Sequence, residues 1–98
     1  MLAGQYVTSD MFANALQFKG FVYTNIDWNT LDSGWYNVNT WTGGGSGSHY
    51  PATNLSGILI VMKATNVNGY QVCFAQSHMY CRYLSNTWSE WKTYNPIS

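Results

Sequence analysis

The acids of this chain are Asp10, Asp27, Asp32 and Glu90, and no others. Hydrolysis of a glycosidic bond needs two carboxyl groups roughly 5 to 10 Å apart, one of them held protonated by burial. Nothing in the spacing of these four pairs them. Asp10 and Asp27 precede helix-like segments and read as caps, and Asp32 opens a turn with Ser33 and Gly34. Cys73, His78 and Cys81 give the spacing C-x4-H-x2-C, with His49 as a further nitrogen ligand at a distance in sequence. Structural zinc sites usually bring two close ligand pairs, so buried free thiols beside a turn histidine are the simpler reading. A nucleophilic Cys/His dyad would need an orienting third group and an oxyanion loop, and neither shows in the sequence. The expectation is a protein that is not an enzyme and holds no metal or cofactor.

The aromatic residues point elsewhere. The chain has five tryptophans and eight tyrosines, and Asn, Thr, Ser and Gly supply most of its polarity. Sugars are neutral polyols with apolar faces, so exposed rings beside amides and hydroxyls suit a saccharide. The competing role is the core, where each large ring buries about 150 to 250 Å². Trp28, Trp88 and Trp91 read as core. Trp41, His49 and Tyr50 flank the glycine-rich stretch Thr42-Gly-Gly-Gly-Ser-Gly-Ser48, and loops on a rigid scaffold commonly carry binding. The expected ligand-contacting set is Trp41, His49 and Tyr50, with Trp35, Asn39 and Asn54 as companions.

Composition excludes other partners. Charged residues are 8% of the 98, the net charge is zero, and Lys19, Lys63, Arg82 and Lys92 stand apart in sequence. Nucleic-acid binding gains its affinity from clustered cations and is not expected. The longest apolar run, Ile58 to Met62, is strand-sized and far below the roughly 20 residues that span a bilayer, so no membrane insertion is expected. Aromatic content of 17% with low charge favours a β-rich fold and argues against disorder.

Residues 9–17 (SDMFANALQ) predict one short helix, capped by Ser9 or Asp10, with Met11, Phe12, Ala15 and Leu16 on one stripe. Phe21 to Tyr23 is β-prone, and Ile26 to Leu31 predicts a helical turn started by Asp27. Trp35 to Val38 predicts a strand after the Asp32-Ser33-Gly34 turn. Ile58 to Lys63 predicts a strand buried on both faces. Asn66 to Gly69 predicts a turn whose closing dipeptide tolerates positive φ. Tyr70 to Gln76 and Met79 to Leu84 predict a hairpin around Ser77-His78, and Lys92 to Tyr94 a last short strand. A three-residue loop in that hairpin sets Cys73 opposite Cys81. A four-residue loop pairs Gln71 with Arg82 and sends the thiols to opposite faces. Both registers fit the sequence. The fold class is mainly β, a small antiparallel β domain with one short N-terminal helix.

The ordered series Asp27-Trp-Asn-Thr-Leu31, Gly34-Trp-Tyr-Asn-Val38, Ala52-Thr-Asn-Leu55 and Gly57-Ile-Leu-Ile-Val61 resembles the pyocin knob family. Gly69-Tyr-Gln71, Arg82 and Trp88-x-x-Trp91-Lys92 continue the series, so the resemblance covers residues 26–94. Two departures are the GGGSGS insertion and Trp28, which stands where Leu is more usual. The family occurs in tail fibres of R-type pyocins, phages and prophages. The resemblance implies residues 26–98 as a knob-like β domain and residues 1–25 as a junction with the fibre shaft. It implies a virion or tail-like particle assembled in the host cytoplasm, with homotrimeric fibres that adhere to host cell-surface polysaccharide. An architectural or trimerisation knob without receptor contact is the alternative. No family residue is carried over as catalytic.

Overall fold

The computed structural model describes residues 13, 16–22, 26–39, 49–52 and 55–95. Their seven strands form one sheet: β1 (Phe18–Val22), β2 (Gly34–Asn39), β3 (Ser56–Thr65), β4 (Asn68–Ala75), β5 (His78–Ser85), β6 (Thr87–Trp88) and β7 (Lys92–Tyr94). The spatial order is β1-β2-β3-β4-β5-β6, and β7 also pairs with β5, at that strand's other end. β2 to β5 are an antiparallel meander, whereas β1 runs parallel to β2. The sheet is therefore mixed rather than wholly antiparallel. The reason is local: the chain between β1 and β2 contains the Trp28–Thr30 3-10 turn and returns to the same end of the sheet before β2 starts. β1 belongs to the segment assigned to the shaft junction, yet it is hydrogen-bonded into the sheet and buries Val22 in the core.

No α-helical element occurs among the described residues. Most of the helix expected over 9–17 lies outside them. Of the described part, Ala13 has helical backbone, and Leu16, whose N–H donates to the Ala13 carbonyl at 3.2 Å, lies in a turn before β1 begins.

Strand alternation separates two unlike faces. On the covered face, Gly34, Val61, Gln71 and Arg82 form one cross-strand row, and Tyr36, Leu59, Cys73 and Tyr80 form the next. Over these rows pack Trp28, Leu55 and, less deeply, Leu31, Tyr50, Ala52 and Trp91. On the other face, Trp35, Ile60, Val72 and Cys81 align, flanked by Ile58, Phe74, Met79 and Tyr94 on one side and Met62, Tyr70 and Tyr83 on the other. That face is apolar and open: Tyr70 is 54% and Phe74 48% exposed. The run Ile58–Lys63 is thus buried on one face only, with Leu59 and Val61 inward and Ile58 exposed. An unbroken apolar run carries no period to separate these two cases.

Two glycines show why residue type decides the turns. Gly34 enters β2 at φ 147°, a conformation L side chains rarely adopt, and a Cβ there would strike the Lys19 side chain. Gly69 has a different role. The β3–β4 turn sits on Asn66 and Val67, two residues earlier than Asn68-Gly69, which already pair in β4. A Cβ on Gly69 would lie 2.7 Å from the Met62 carbonyl oxygen and 2.8 Å from Lys63 Cα, beside the register shift between Lys63 and Thr65. Close backbone approach explains this glycine, not positive φ.

The β4–β5 hairpin turns on Gln76 and Ser77, with Gln76 at φ 51°. Its two-residue loop keeps the register in which Gln71 opposes Arg82 and Cys73 opposes Tyr80. The thiols therefore point to opposite faces. Cys73 is fully buried, and burial pushes its thiol up to about 12, while Cys81 is partly exposed. Brief iodoacetamide treatment of the native chain at pH 8 should alkylate Cys81 and spare Cys73, as read by peptide mass mapping. Equal labelling of the two would overturn this register.

Candidate functional site

The site grows from the turn at Trp28–Thr30. Asp27 is extended (φ −83°, ψ 115°) and its Oδ1 accepts from the Asn29 N–H at 2.9 Å. Its carbonyl accepts from the Thr30 N–H at 3.0 Å and the Thr30 hydroxyl at 2.7 Å. This is the capping role expected of Asp27. The turn drives Trp28 to 0% exposure, where its ring lies 5.7 Å from Trp91 in edge-to-face geometry and 5.6 Å from Tyr50.

Beneath the turn the sheet presents a polar pair in an otherwise apolar layer. Gln71 Nε2 donates to the Trp28 carbonyl at 2.7 Å, and Gln71 Oε1 accepts from Arg82 Nε at 2.9 Å. The Arg82 guanidinium lies 4.3 Å from the centre of the Trp88 ring and 4.6 Å from that of Trp91. Such contacts grow stronger where water is excluded, and Arg82 is only 4% exposed. Burial lowers the guanidinium to about 10 against the opposing pull of Asp27, which leaves it cationic at neutral pH.

The second wall comes from residues 49–52. His49 Nδ1 meets Asp27 Oδ1 at 2.7 Å, and the His49 carbonyl accepts from Trp91 Nε1 at 3.0 Å. His49 holds φ 63°, a left-handed conformation that costs a non-glycine residue about 1 kcal/mol or more, so these two contacts fix a strained backbone. Between the walls lies an open depression of about 500 Å³ lined by Asn29, His49, Tyr50, Arg82, Thr87, Trp88, Ser89, Glu90 and Trp91. Asp27 sits behind it, its carboxyl held below 3.8 first by the Asn29 N–H; burial opposes that shift, and the His49 hydrogen bond and charge and the Arg82 charge reinforce it.

Of the residues expected at a ligand surface, His49 and Tyr50 line this depression. Trp35 does not. It lies on the open face of the sheet under Phe18, ring centres 4.5 Å apart, in the row that alternates with the covered one. Trp41 and Asn54 lie outside the described residues, and Asn39 ends β2 half-buried. The sequence reading missed Arg82, Asn29, Trp88 and Trp91 as lining residues. Its four-residue-loop alternative did pair Gln71 with Arg82, and a lone Gln opposite a lone Arg in apolar strands was the available signal. Trp91 packs against the core with one edge on the depression, whereas Trp88 is half-buried and stacks on Arg82 at the lining.

The other chemistry considered in the sequence does not converge. Cys73 and Cys81 face opposite ways, and no group of three His, Cys, Asp or Glu side chains able to hold a metal occurs among the described residues. No helix among them is long and apolar enough to cross a membrane. No family model matches the chain, and no match is found among the curated proteins or the solved structures.

Two outcomes check the site. Replacing Gln71 with Ala orphans the Trp28 carbonyl and Arg82 Nε together, and should cost roughly 2 to 4 kcal/mol in urea unfolding. Asp27 has a depressed folded pKa, so its share of stability is present at neutral pH and is lost as pH falls through that folded value. Asp27→Asn should therefore flatten the acid limb of a stability profile recorded between pH 6 and about pH 2.5. The effect should be small, because both partners of the His49 contact are more than a third exposed.

Proposed function

We propose that the chain is a non-catalytic receptor-binding domain of a phage or prophage tail fibre, a knob that adheres to saccharide on the host cell surface. The observation that carries this reading is the open depression walled by Trp88, Trp91 and Tyr50 and rimmed by Asn29, Thr87 and Ser89. Rings offer apolar platforms to sugar faces, and neutral amides and hydroxyls match sugar hydroxyls without the desolvation cost of ions. The pyocin knob resemblance supports the same reading. The residues that carry it include Trp28, Leu55, Gln71, Arg82, Trp88 and Trp91, which here build the core and the depression rather than scattering over the surface. Binding without bond cleavage also suits the carboxylates: Asp27 is occupied by the Asn29 N–H and His49, leaving Glu90 alone at the depression.

The open sheet face favours a second role alongside the first, assembly through copies of the same chain. Five strands about 4.8 Å apart, each with about six residues rising roughly 3.3 Å, present on the order of 500 Å² in projection. Side-chain relief raises the accessible area towards the roughly 800 Å² per partner of a stable interface. The face carries Lys92 as its one cation and no acid, so apolar contact with like surfaces meets little charge repulsion. The occupant we propose is the neighbouring chain of a homotrimeric fibre, whose three tips would add weak contacts into useful avidity.

Fibres from which this chain is deleted should lose adsorption to the host strain while still assembling on the particle. Undiminished adsorption would overturn the receptor reading. Introducing charge on the open face with Tyr70→Lys and Phe74→Lys should shift the 98-residue chain from oligomer to monomer in sedimentation equilibrium. A wild-type chain that stays monomeric at millimolar concentration would remove the assembly role.

A further inference from the structure

Four buried side-chain atoms among the described residues have no hydrogen-bond partner: Trp28 Nε1, Asn29 Oδ1, the Tyr50 hydroxyl and Arg82 Nη2. Native proteins leave few such atoms, because a buried polar group without a partner has given up its water for nothing, the more so when charged. Three of the four belong to residues that line the same depression. Arg82 is the centre of this set. It is 4% exposed, its Nε is taken by Gln71, and its planar group is held by the two tryptophan rings. Nη2 is left as a charged donor with nothing to donate to, closed to solvent just behind the lining, so an acceptor reaches it where the lining side chains part.

Neighbouring acids do not take up that donor. Asp27 is turned to Asn29 and His49, and the His49–Asp27 contact is the one acid–base side-chain contact among the described residues, so Glu90 at the lining is not paired with Arg82. Arg82 Nη2 and the Tyr50 hydroxyl can donate, and Asn29 Oδ1 can only accept. Two donors and one acceptor fit a group rich in acceptor oxygens with a hydroxyl beside it. A carboxylate on a sugar ring has that arrangement: one oxygen for Arg82, one for Tyr50, and a ring hydroxyl to donate to Asn29. The Gln71 contact removes the side-on fork through Nε and leaves the terminal nitrogens of Arg82 to meet the carboxylate. A phosphate dianion fits less well, since a single guanidinium would have to balance it beside Asp27 and Glu90.

Resting on the saccharide reading above, we infer that the depression selects acidic sugars, holding the carboxylate of a uronic or sialic acid on Arg82 Nη2 and the Tyr50 hydroxyl. The experiment is a proton–nitrogen NMR titration of the full chain with the methyl glycosides of glucuronic, galacturonic and N-acetylneuraminic acids. The methyl esters of the same sugars serve as neutral isosteres and acetate as the bare anion. At least one acid should shift the Trp91 Nε1–H and Arg82 Nε–H resonances saturably, with its ester and acetate binding at least about tenfold more weakly. Tyr50→Phe keeps the ring that packs on Trp28 and should weaken the acid several-fold without loss of the folded spectrum. Arg82→Lys, where its spectrum shows it folded, should erase the preference for acid over ester. Equal binding of acid and ester would overturn the acidic class and leave the saccharide reading standing. Acetate binding as well as the sugars would reduce the site to an anion trap and overturn the inference. Silence of these resonances with all three acids would overturn the site itself, while adsorption of the deleted fibre separately decides the receptor reading.

Discussion

The structure depends on how one buried amide joins a turn to a sheet. Gln71 stands at 0% exposure in the middle of the meander, where an apolar side chain would ordinarily be the simpler choice. Its amide nitrogen donates to the carbonyl that the Trp28 turn would otherwise bury unsatisfied, and its oxygen accepts from the Arg82 Nε–H. Each group satisfies another that could not be left alone in a dry interior, so the set is worth more than its separate bonds suggest. Residues from the turn, from β4 and β5 and from the segment after β6 are fixed relative to one another through it. The aromatic layer follows: Trp28 is pressed between Tyr50 and Trp91, and Arg82 supports Trp88 and Trp91 from below.

That arrangement compensates for an unusual sheet. A single layer with one covered face has half the burial of a sandwich, and among the described residues the cover is made of short irregular segments. Short segments bury little area each, so large rings and specific hydrogen bonds must stand in for the missing layer. This explains why so many aromatics gather in so small a chain and why charge is scarce. It also leaves the other face of the sheet apolar and uncovered, which a lone monomer rarely tolerates at this size. The two faces are thus unlike, one shaped by internal cover and one left apolar and open.

Much of this was readable from residue order. The Asp27 cap, the turn before β2, the β4–β5 hairpin and the last short strand all rest on local chemistry that acts within a few residues, and all are present. The parallel pairing of β1 with β2 was not readable, because pairing direction depends on how a connection folds back in space. Nor was the one-sided burial of Ile58–Lys63, since a continuous apolar run looks alike whether one face or both are covered. The choice between hairpin registers needed the turn itself: Gln76 accepting a left-handed φ made a two-residue loop possible where three or four residues had been weighed. The stretch from Asn66 to Gly69 misled for a related reason, as an Asn-Gly pair suggests positive φ while Gly69 is needed for lack of a Cβ.

The candidate site was half legible, and the missing half is instructive. His49 and Tyr50 were marked by their place beside a glycine-rich stretch, a signal about exposure. Arg82 was passed over because isolated cations usually lie in solvent, and nothing near it in sequence shows that it is buried. Only the register that sets it opposite Gln71 and over two tryptophans makes it a desolvated donor whose Nη2 has no partner. On the proposed reading, rigidity and recognition meet in one side chain. Its Nε and its flat surface hold the fold together, and those same contacts immobilise the remaining N–H in a water-poor recess. A free arginine would lose rotamer entropy on grasping a ligand; this one has already been ordered by folding. That is how a domain with so few charges can still offer a directed one.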